Sequence, residues 1–240
     1  MEKTKLYIVM PAYNEAENVE DVVRQWHPVA EKINSGGDSC TLAIANDGSK
    51  DGTWRMLEGL KAKYPLLKPI DKPNSGHGAT LMFLYRHALE KGADYVFQTD
   101  SDGQTLPGEF WQMWENRERI AFQIGTRGGR QDGLARVFVT KTLRFVVWLM
   151  FKVWVKDANT PFRLMEAKRL KAVMAYVPKD FFLANIAIAA IAVKKRESIA
   201  WYPITFRPRQ GGVNSINMRR IFKIGWKSLG DFRRINGMVE

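Results

Sequence analysis

Apolar and polar positions fall in blocks along this chain, and the blocks recur in one order. "KLYIVMPAYNEAENVEDVVRQW" (residues 5–26) starts with an unbroken apolar run, breaks at Pro11, and resumes with apolar positions three and four apart. That pattern predicts strand, loop, helix, with Pro11 ending the strand and Asn14 capping a helix whose first turn carries Glu15 and Glu17. "CTLAIANDGSKDGTWRML" (40–57) repeats the design, with the turn-rich "NDGSKDG" between strand and helix. "NSGHGATLMFLYRHALEKG" (74–92) is a glycine-containing loop entering a helix. "ADYVFQTDSDGQ" (93–104) and "RIAFQIGTRGG" (119–129) are further apolar strands running into polar loops, and "SIAWYPITFRPR" (198–209) is another strand, ending at Pro208. Strands alternating with helices predict an α/β fold, a mostly parallel central sheet with helices on both faces. Ligands of such sheets bind beyond the carboxyl ends of the strands, where each of these polar clusters falls.

The second half is less regular. "KTLRFVVWLMFKVWVKD" (141–157) is mostly apolar and rich in Trp and Phe; it suits a core helix or a segment lying in a membrane interface. "FFLANIAIAAIAV" (181–193) is interrupted by Asn185 and is shorter than the ~20 residues of a membrane span, so a buried helix is expected. "NSINMRRIFKIGWKSLGDFRR" (214–234) predicts a basic amphipathic helix with Met218, Ile221, Phe222, Leu229 and Phe232 on its apolar side. No repeat or low-complexity linker divides the chain, so a catalytic domain over 1–216 and a helical tail over 217–240 are expected.

Composition sharpens this picture. With 240 residues, 45% of them hydrophobic, the chain is long enough for one large core. The single cysteine, Cys40, has no partner for an internal disulfide and fits a reducing compartment; no secretory leader is evident in the opening residues. Half of the net charge of +12 lies between Arg207 and Glu240. A basic tail of this kind suits nucleic acid, anionic lipid, or plain solvation.

The chemistry concentrates in "VFQTDSDGQTLP" (96–107). In an extended segment Asp100, Asp102 and Gln104 project to one side. Two carboxylates so close repel unless a cation or a shared proton intervenes. Hard cations such as Mg²⁺ or Mn²⁺ take oxygen ligands, and Mg²⁺ commonly uses one or two carboxylates with substrate phosphates completing its shell. A metal-bound diphosphate is therefore the implied ligand; an acidic turn capping a helix at Pro107 is the alternative. "NDGSKDGT" is turn chemistry, or sets Asp47 against a ribose or base. His77, between Gly76 and Gly78, is a ligand donor or a surface histidine. Arg127 in "GTRGGR" and Arg209 in "RPRQGG" suit anionic oxygens, or are solvated. The three histidines and one cysteine exclude a Cys/His zinc site.

Taken in order, "PAYNE", "NDGSKDGT", "DSDGQTLP", "GTR", "DANTPFRL" and "RPRQGGVNS" resemble the family 2 glycosyltransferases of GT-A (Rossmann-like) fold, and within them the dolichyl- or polyprenyl-phosphate sugar synthases, over roughly residues 5–220. The resemblance implies that Pro11, Tyr13 and Glu15 hold the base and ribose of a nucleotide sugar, with Asp47 beside them. It implies that Asp100, Ser101 and Asp102 handle ribose, diphosphate and metal, and that Gln104 ligates the metal. Arg127 would contact phosphate or sugar, Arg136 and Thr140 would receive the acceptor's phosphate, and Arg209 would clamp the leaving diphosphate. The chain departs from the family pattern at Asn46, Pro161 and Ser215.

The reaction so implied is displacement at the anomeric carbon with inversion. The leaving diphosphate needs electrostatic stabilisation more than a proton, placing Asp102, Arg127 and Arg209 at its centre. A sugar hydroxyl acceptor calls for a general base, whereas a lipid phosphate is already anionic. No acidic pair after residue 150 offers such a base, which favours polyprenyl phosphate over the alternative of a sugar acceptor in polysaccharide synthesis. An enzyme reaching a lipid phosphate works at the cytoplasmic membrane face, held there by the basic helix or by a membrane-bound partner subunit. A nucleic-acid-binding role is disfavoured, because the acidic strand-end cluster repels phosphates without a metal.

Overall fold

The computed structural model describes residues 3–127, 144–208 and 230–239. Seven strands form one sheet: β1 (Lys5–Ala12), β2 (Ser39–Asp47), β3 (Leu67–Lys72), β4 (Tyr95–Thr99), β5 (Phe122–Arg127), β6 (Phe162–Glu166) and β7 (Ile199–Ile204). Their order is β3-β2-β1-β4-β6-β5-β7, and only β6 runs antiparallel to its neighbours. The carboxyl ends of all the parallel strands therefore meet at one edge. The segment entering β6, which holds "DANTP", arrives at that same edge. Sheet topology thus brings every motif loop to one place.

The α/β reading holds, and its physical cause is burial on both faces. In β1, Leu6, Ile8 and Met10 face a core shared with α1 (Val19–Ser35), α2 (Thr53–Leu60) and α4 (Phe110–Glu115). Tyr7 and Val9 face a second core with α3 (His77–Glu90), α5 (144–151), α6 (Ala167–Met174), α7 (Ala184–Lys194) and α8 (230–238). A strand covered twice loses alternation and reads as a continuous apolar run. Helix α7 is the buried helix expected, with Ala184 through Ala192 all in the interior. Gly78, at the start of α3, lets that helix abut the carbonyl oxygens of Phe181 and Phe182; a Cβ there would stand 2.2–2.3 Å from them.

Three local expectations are corrected. Pro11 does not end β1 but sits inside it, in register with Ala45 of β2. It is tolerated because β4 pairs with β1 only as far as Val9, leaving Pro11 no ladder partner on that side. Asn14 does not cap α1: it occupies a left-handed turn (φ 55°), the helix starts at Val19 after Asn18, and Glu15 and Glu17 precede it. Strands β3 and β6 were not anticipated at all.

Residues 141–157 divide by face rather than by choice. From 144 onward, Val147, Phe151 and Val155 are buried, while Phe145, Trp148, Leu149 and Trp154 are exposed. Of the expected tail helix, residues 217–229 lie outside the described residues. Helix α8 packs Phe232, Ile235 and Val239 into the core, with the Phe232 ring 5.5 Å from Phe151 and 5.4 Å from Phe181.

Candidate active site

The loops after β1 and β2 are stitched together by short polar contacts. The Asn14 amide donates to Ser49 Oγ (3.0 Å), and Lys50 N–H donates to Asn14 Oδ1 (2.8 Å). Glu15 N–H donates to Thr53 Oγ1 (2.9 Å), and Asn18 Nδ2 donates to Glu15 Oε2 (2.7 Å). The "NDGSKDG" turn is thus real turn chemistry, and it fixes where Glu15 sits. Tyr13 is 44% exposed at the same edge.

Asp47 ends β2 and turns toward β3 and α3. Its carboxylate accepts from Lys72 Nζ, from Ser75 N–H (2.8 Å) and from Gly76 N–H (2.9 Å). Burial works to raise its pKa, but the Lys72 and Ser75 hydrogen bonds outweigh it and hold the group below the usual carboxylate range. The neighbouring Asn46 donates to Asp71 Oδ1 (2.6 Å) across the β2–β3 pair. An acid at position 46 would repel Asp71, a physical reason for the asparagine there. His77, at the first turn of α3, is a surface histidine.

The loop after β4 is a turn rather than an extended segment. Gly103 takes φ 73°, Gln104 N–H donates to Asp102 Oδ1 (3.1 Å), and the Thr99 and Thr105 hydroxyls meet at 2.7 Å across its neck. Ser101 Oγ donates to the Pro11 carbonyl (2.8 Å), fastening the loop to β1. The three oxygen-bearing side chains do not line one side of a strand, as extension would have placed them. The turn nonetheless gathers charge. The half-buried Asp100 carboxyl is pushed well above its ordinary pKa, by burial first and then by Asp102 and Glu15, against the pull of Arg127 and Arg163. Glu15, on the loop after β1, thus lies close enough to Asp100 and Asp102, both on the loop after β4, for their charges to act on one another. Gln104 donates its amide nitrogen to the Arg207 carbonyl (2.8 Å), and Arg207 N–H donates to the Gln104 carbonyl (2.8 Å). The strap after β7 is thereby tied to the acidic loop.

Arg127, closing β5, donates Nε and Nη2 to the two Asp157 carboxylate oxygens (3.0 Å each) and lies over the Phe206 ring. Arg136, Thr140 and Arg209 lie outside the described residues. Among the described residues no group of three or more His, Cys, Asp and Glu is arranged to hold a metal. A divalent ion here would rest on two carboxylates and an amide oxygen, with the remainder of its shell from substrate, which suits Mg²⁺ or Mn²⁺. Repulsion among Asp100, Asp102 and Glu15 is what such a charge relieves.

Sequence reasoning missed the layer behind Asp100. Gln98, Tyr85, Asn185 and Arg163 are all buried there. Two of them carried a readable signal: a glutamine within an apolar strand, and an asparagine within an apolar helix.

Comparison with known proteins agrees with this geometry. The family model for glycosyl transferase family 2 matches residues 7–168. Among curated proteins, the polyprenol monophosphomannose synthase of Mycolicibacterium smegmatis is 25% identical, over 97% of this chain and 91% of its own. The UDP-N-acetylglucosamine–dolichyl-phosphate N-acetylglucosaminyltransferase of Methanococcus voltae is 22% identical, over 93% and 94%. The dolichyl-phosphate beta-glucosyltransferase of Trichomonas vaginalis is 28% identical, over 97% and 67%. Among solved structures, glucosyl-3-phosphoglycerate synthase of Mycobacterium tuberculosis, in complex with Mn²⁺, UDP-glucose and phosphoglyceric acid, superposes with a TM-score of 0.72 at 17% identity, over 98% of this chain and 80% of that one. That likeness establishes the GT-A-like fold.

Proposed function

The chain belongs to glycosyl transferase family 2, and on that premise we propose that it moves a sugar from a nucleoside-diphosphate sugar to a polyprenyl phosphate, with inversion at the anomeric carbon. The observation that carries the donor half is the turn after β4, which sets Asp100, Asp102 and Gln104 together at the sheet's carboxyl edge and ties them to β1 and to the strap after β7. The acceptor half is supported by the named activities of relatives aligned along nearly the whole chain, which act on polyprenol or dolichyl phosphate.

Asp100, Asp102 and the side-chain oxygen of Gln104 would hold a Mg²⁺ or Mn²⁺ ion. Bound there, the ion supplies positive charge to the diphosphate as it leaves. Pro11, Tyr13, Glu15 and Ser101 surround the base and ribose. Asp47 serves by shaping the 74–76 loop through its three hydrogen bonds, with Lys72 among the donors. Asp157 grips two nitrogens of Arg127 and so fixes that guanidinium at the sheet edge, where we assign it to phosphate. Arg209 follows Arg207 by two positions, and the tie between Arg207 and Gln104 supports its assignment to the leaving diphosphate. Arg136 and Thr140 are assigned to the acceptor phosphate. That acceptor is ionised and requires no general base. The carboxylate of Asp157 is taken up by Arg127, in keeping with a reaction that uses none.

A lipid phosphate acceptor requires the enzyme at a membrane surface. The exposed Phe145, Trp148, Leu149 and Trp154, with Lys152 over the Trp148 ring, suit the headgroup boundary on the cytoplasmic face. No helix among the described residues is long and apolar enough to cross a membrane. The test is a donor screen: UDP- and GDP-sugars with Mg²⁺ or Mn²⁺, offered undecaprenyl phosphate, dolichyl phosphate or an oligosaccharide, with products read by mass. A glycosyl polyprenyl phosphate is expected; transfer to the oligosaccharide alone would overturn the acceptor.

A further inference from the structure

Behind Asp100 the core contains polar side chains where apolar ones would pack as well. Gln98 and Tyr85 are fully buried, Asn185 is 3% exposed, and Arg163 is fully buried. Each such group costs about 1–3 kcal/mol if left unpaired, yet here each is paired to the next. With a cation bound Asp100 would be ionised, and since an ionised carboxylate only accepts, that end sets the direction of the series. Gln98 Nε2 donates to Asp100 Oδ1 (3.4 Å). That leaves Gln98 Oε1 facing inward, where it accepts from Asn185 Nδ2 (3.1 Å). Asn185 Oδ1 in turn accepts from the Tyr85 hydroxyl (3.0 Å). The backbone of Asn185 is held as well: its carbonyl accepts from Arg163 Nη1 (2.7 Å), while Nε and Nη2 of Arg163 donate to the carbonyls of Thr160 (2.8 Å) and Ala158 (2.5 Å).

Every amide in this series therefore has one orientation open to it, and the series ends on the metal-site carboxylate. It also joins four elements: Tyr85 comes from α3, Gln98 from β4, Arg163 from β6 and Asn185 from α7. We infer that Tyr85, Asn185 and Gln98 are positioning residues that aim Asp100 at the divalent ion, with Arg163 as the anchor that fixes Asn185. This rests on the reading of Asp100 as a metal ligand. It also accounts for the one polar interruption of the apolar helix α7.

The experiment is Mn²⁺ binding in the presence of UDP, and separately GDP, followed by electron paramagnetic resonance of free and bound Mn²⁺. The proteins are the parent, Gln98→Leu, Asn185→Leu, Tyr85→Phe and the double variant Q98L/N185L. Each leucine variant is expected to weaken Mn²⁺ binding about 10- to 100-fold, the usual loss when a hydrogen-bond partner of a metal ligand is removed. Nucleotide binding without metal stays unchanged. Because both residues act through one route, the double variant is expected to lose no more than the worse single one. A merely structural role would lower stability without moving Mn²⁺ affinity. Folded leucine variants binding Mn²⁺ within about twofold of the parent, or additive losses in the double variant, overturn the inference. Should the leucine variants not fold, Tyr85→Phe decides, since it removes one hydroxyl: weaker Mn²⁺ binding supports the series and unchanged binding sinks it. A parent that binds no Mn²⁺ with either nucleotide overturns the reading of Asp100 itself, and the inference with it.

Discussion

Asp102, in the loop after β4, and Asp47, at the end of β2, share the sheet's carboxyl edge, yet their surroundings give them different work. Asp102 stands among like charges, and we expect Asp102→Ala to lower metal-dependent transfer by about a hundredfold or more while circular dichroism and the melting temperature stay those of the parent. Full activity in that variant would remove Asp102 from the metal site. Asp47 stands among donors, and its loss is a loss of structure. Its folded pKa is depressed, so the stability it contributes is present above the unfolded value near ~3.9 and disappears as pH falls through the folded one. Asp47→Asn should therefore cost about 1–3 kcal/mol at neutral pH and flatten the acid limb of the stability curve. Urea unfolding at a series of pH values measures both. The two aspartates were equally visible in the sequence, but their roles were not, because Lys72 and the 75–76 amides approach Asp47 only once β3 has paired with β2.

At the scale of elements, α8 closes the core. Phe232 inserts between Phe151 and Phe181, so Phe232→Ala should destabilise by about 3–5 kcal/mol, read as a lowered denaturant midpoint. A deletion from residue 217 onward would remove that plug together with the basic residues, so it cannot report on membrane attachment alone. The strands legible in the sequence were those that read as apolar runs: β1, β2, β4 and β5, largely buried, and β7, an edge strand whose IAWYPI is apolar throughout. Strand β3, "LKPIDK", was hidden because Lys68, Asp71 and Lys72 break its apolar run and Pro69 argues against a strand. Strand β6, "FRLME", was hidden because it has five residues with Arg163 second among them, and a buried guanidinium satisfied by three carbonyls has no counterpart in a hydropathy pattern. The acidic loop was found by residue type and misjudged in shape. The left-handed turn at Gly103 replaces the expected extension, and proximity of Asp100 to Asp102 survives the change.

For the whole molecule, the lipid acceptor we propose makes the exposed Phe145, Trp148, Leu149 and Trp154 the surface to test for membrane contact. Replacing Trp148 and Trp154 with glutamate should weaken co-sedimentation with phosphatidylglycerol vesicles by about tenfold or more, at about 1–3 kcal/mol for each aromatic withdrawn from the headgroup boundary. The unfolding midpoint should hardly move, because neither side chain is buried. Unchanged sedimentation would shift the attachment to the basic tail. The proposed transfer depends on a nucleoside diphosphate held through a divalent ion at the sheet's carboxyl edge. The direct measurement is anomalous diffraction at the manganese edge from crystals grown with Mn²⁺ and UDP or GDP. A peak bridging the Asp100 and Asp102 carboxylates and the diphosphate oxygens is predicted; a nucleotide seated at that edge with the manganese bound elsewhere, or with none, would contradict it.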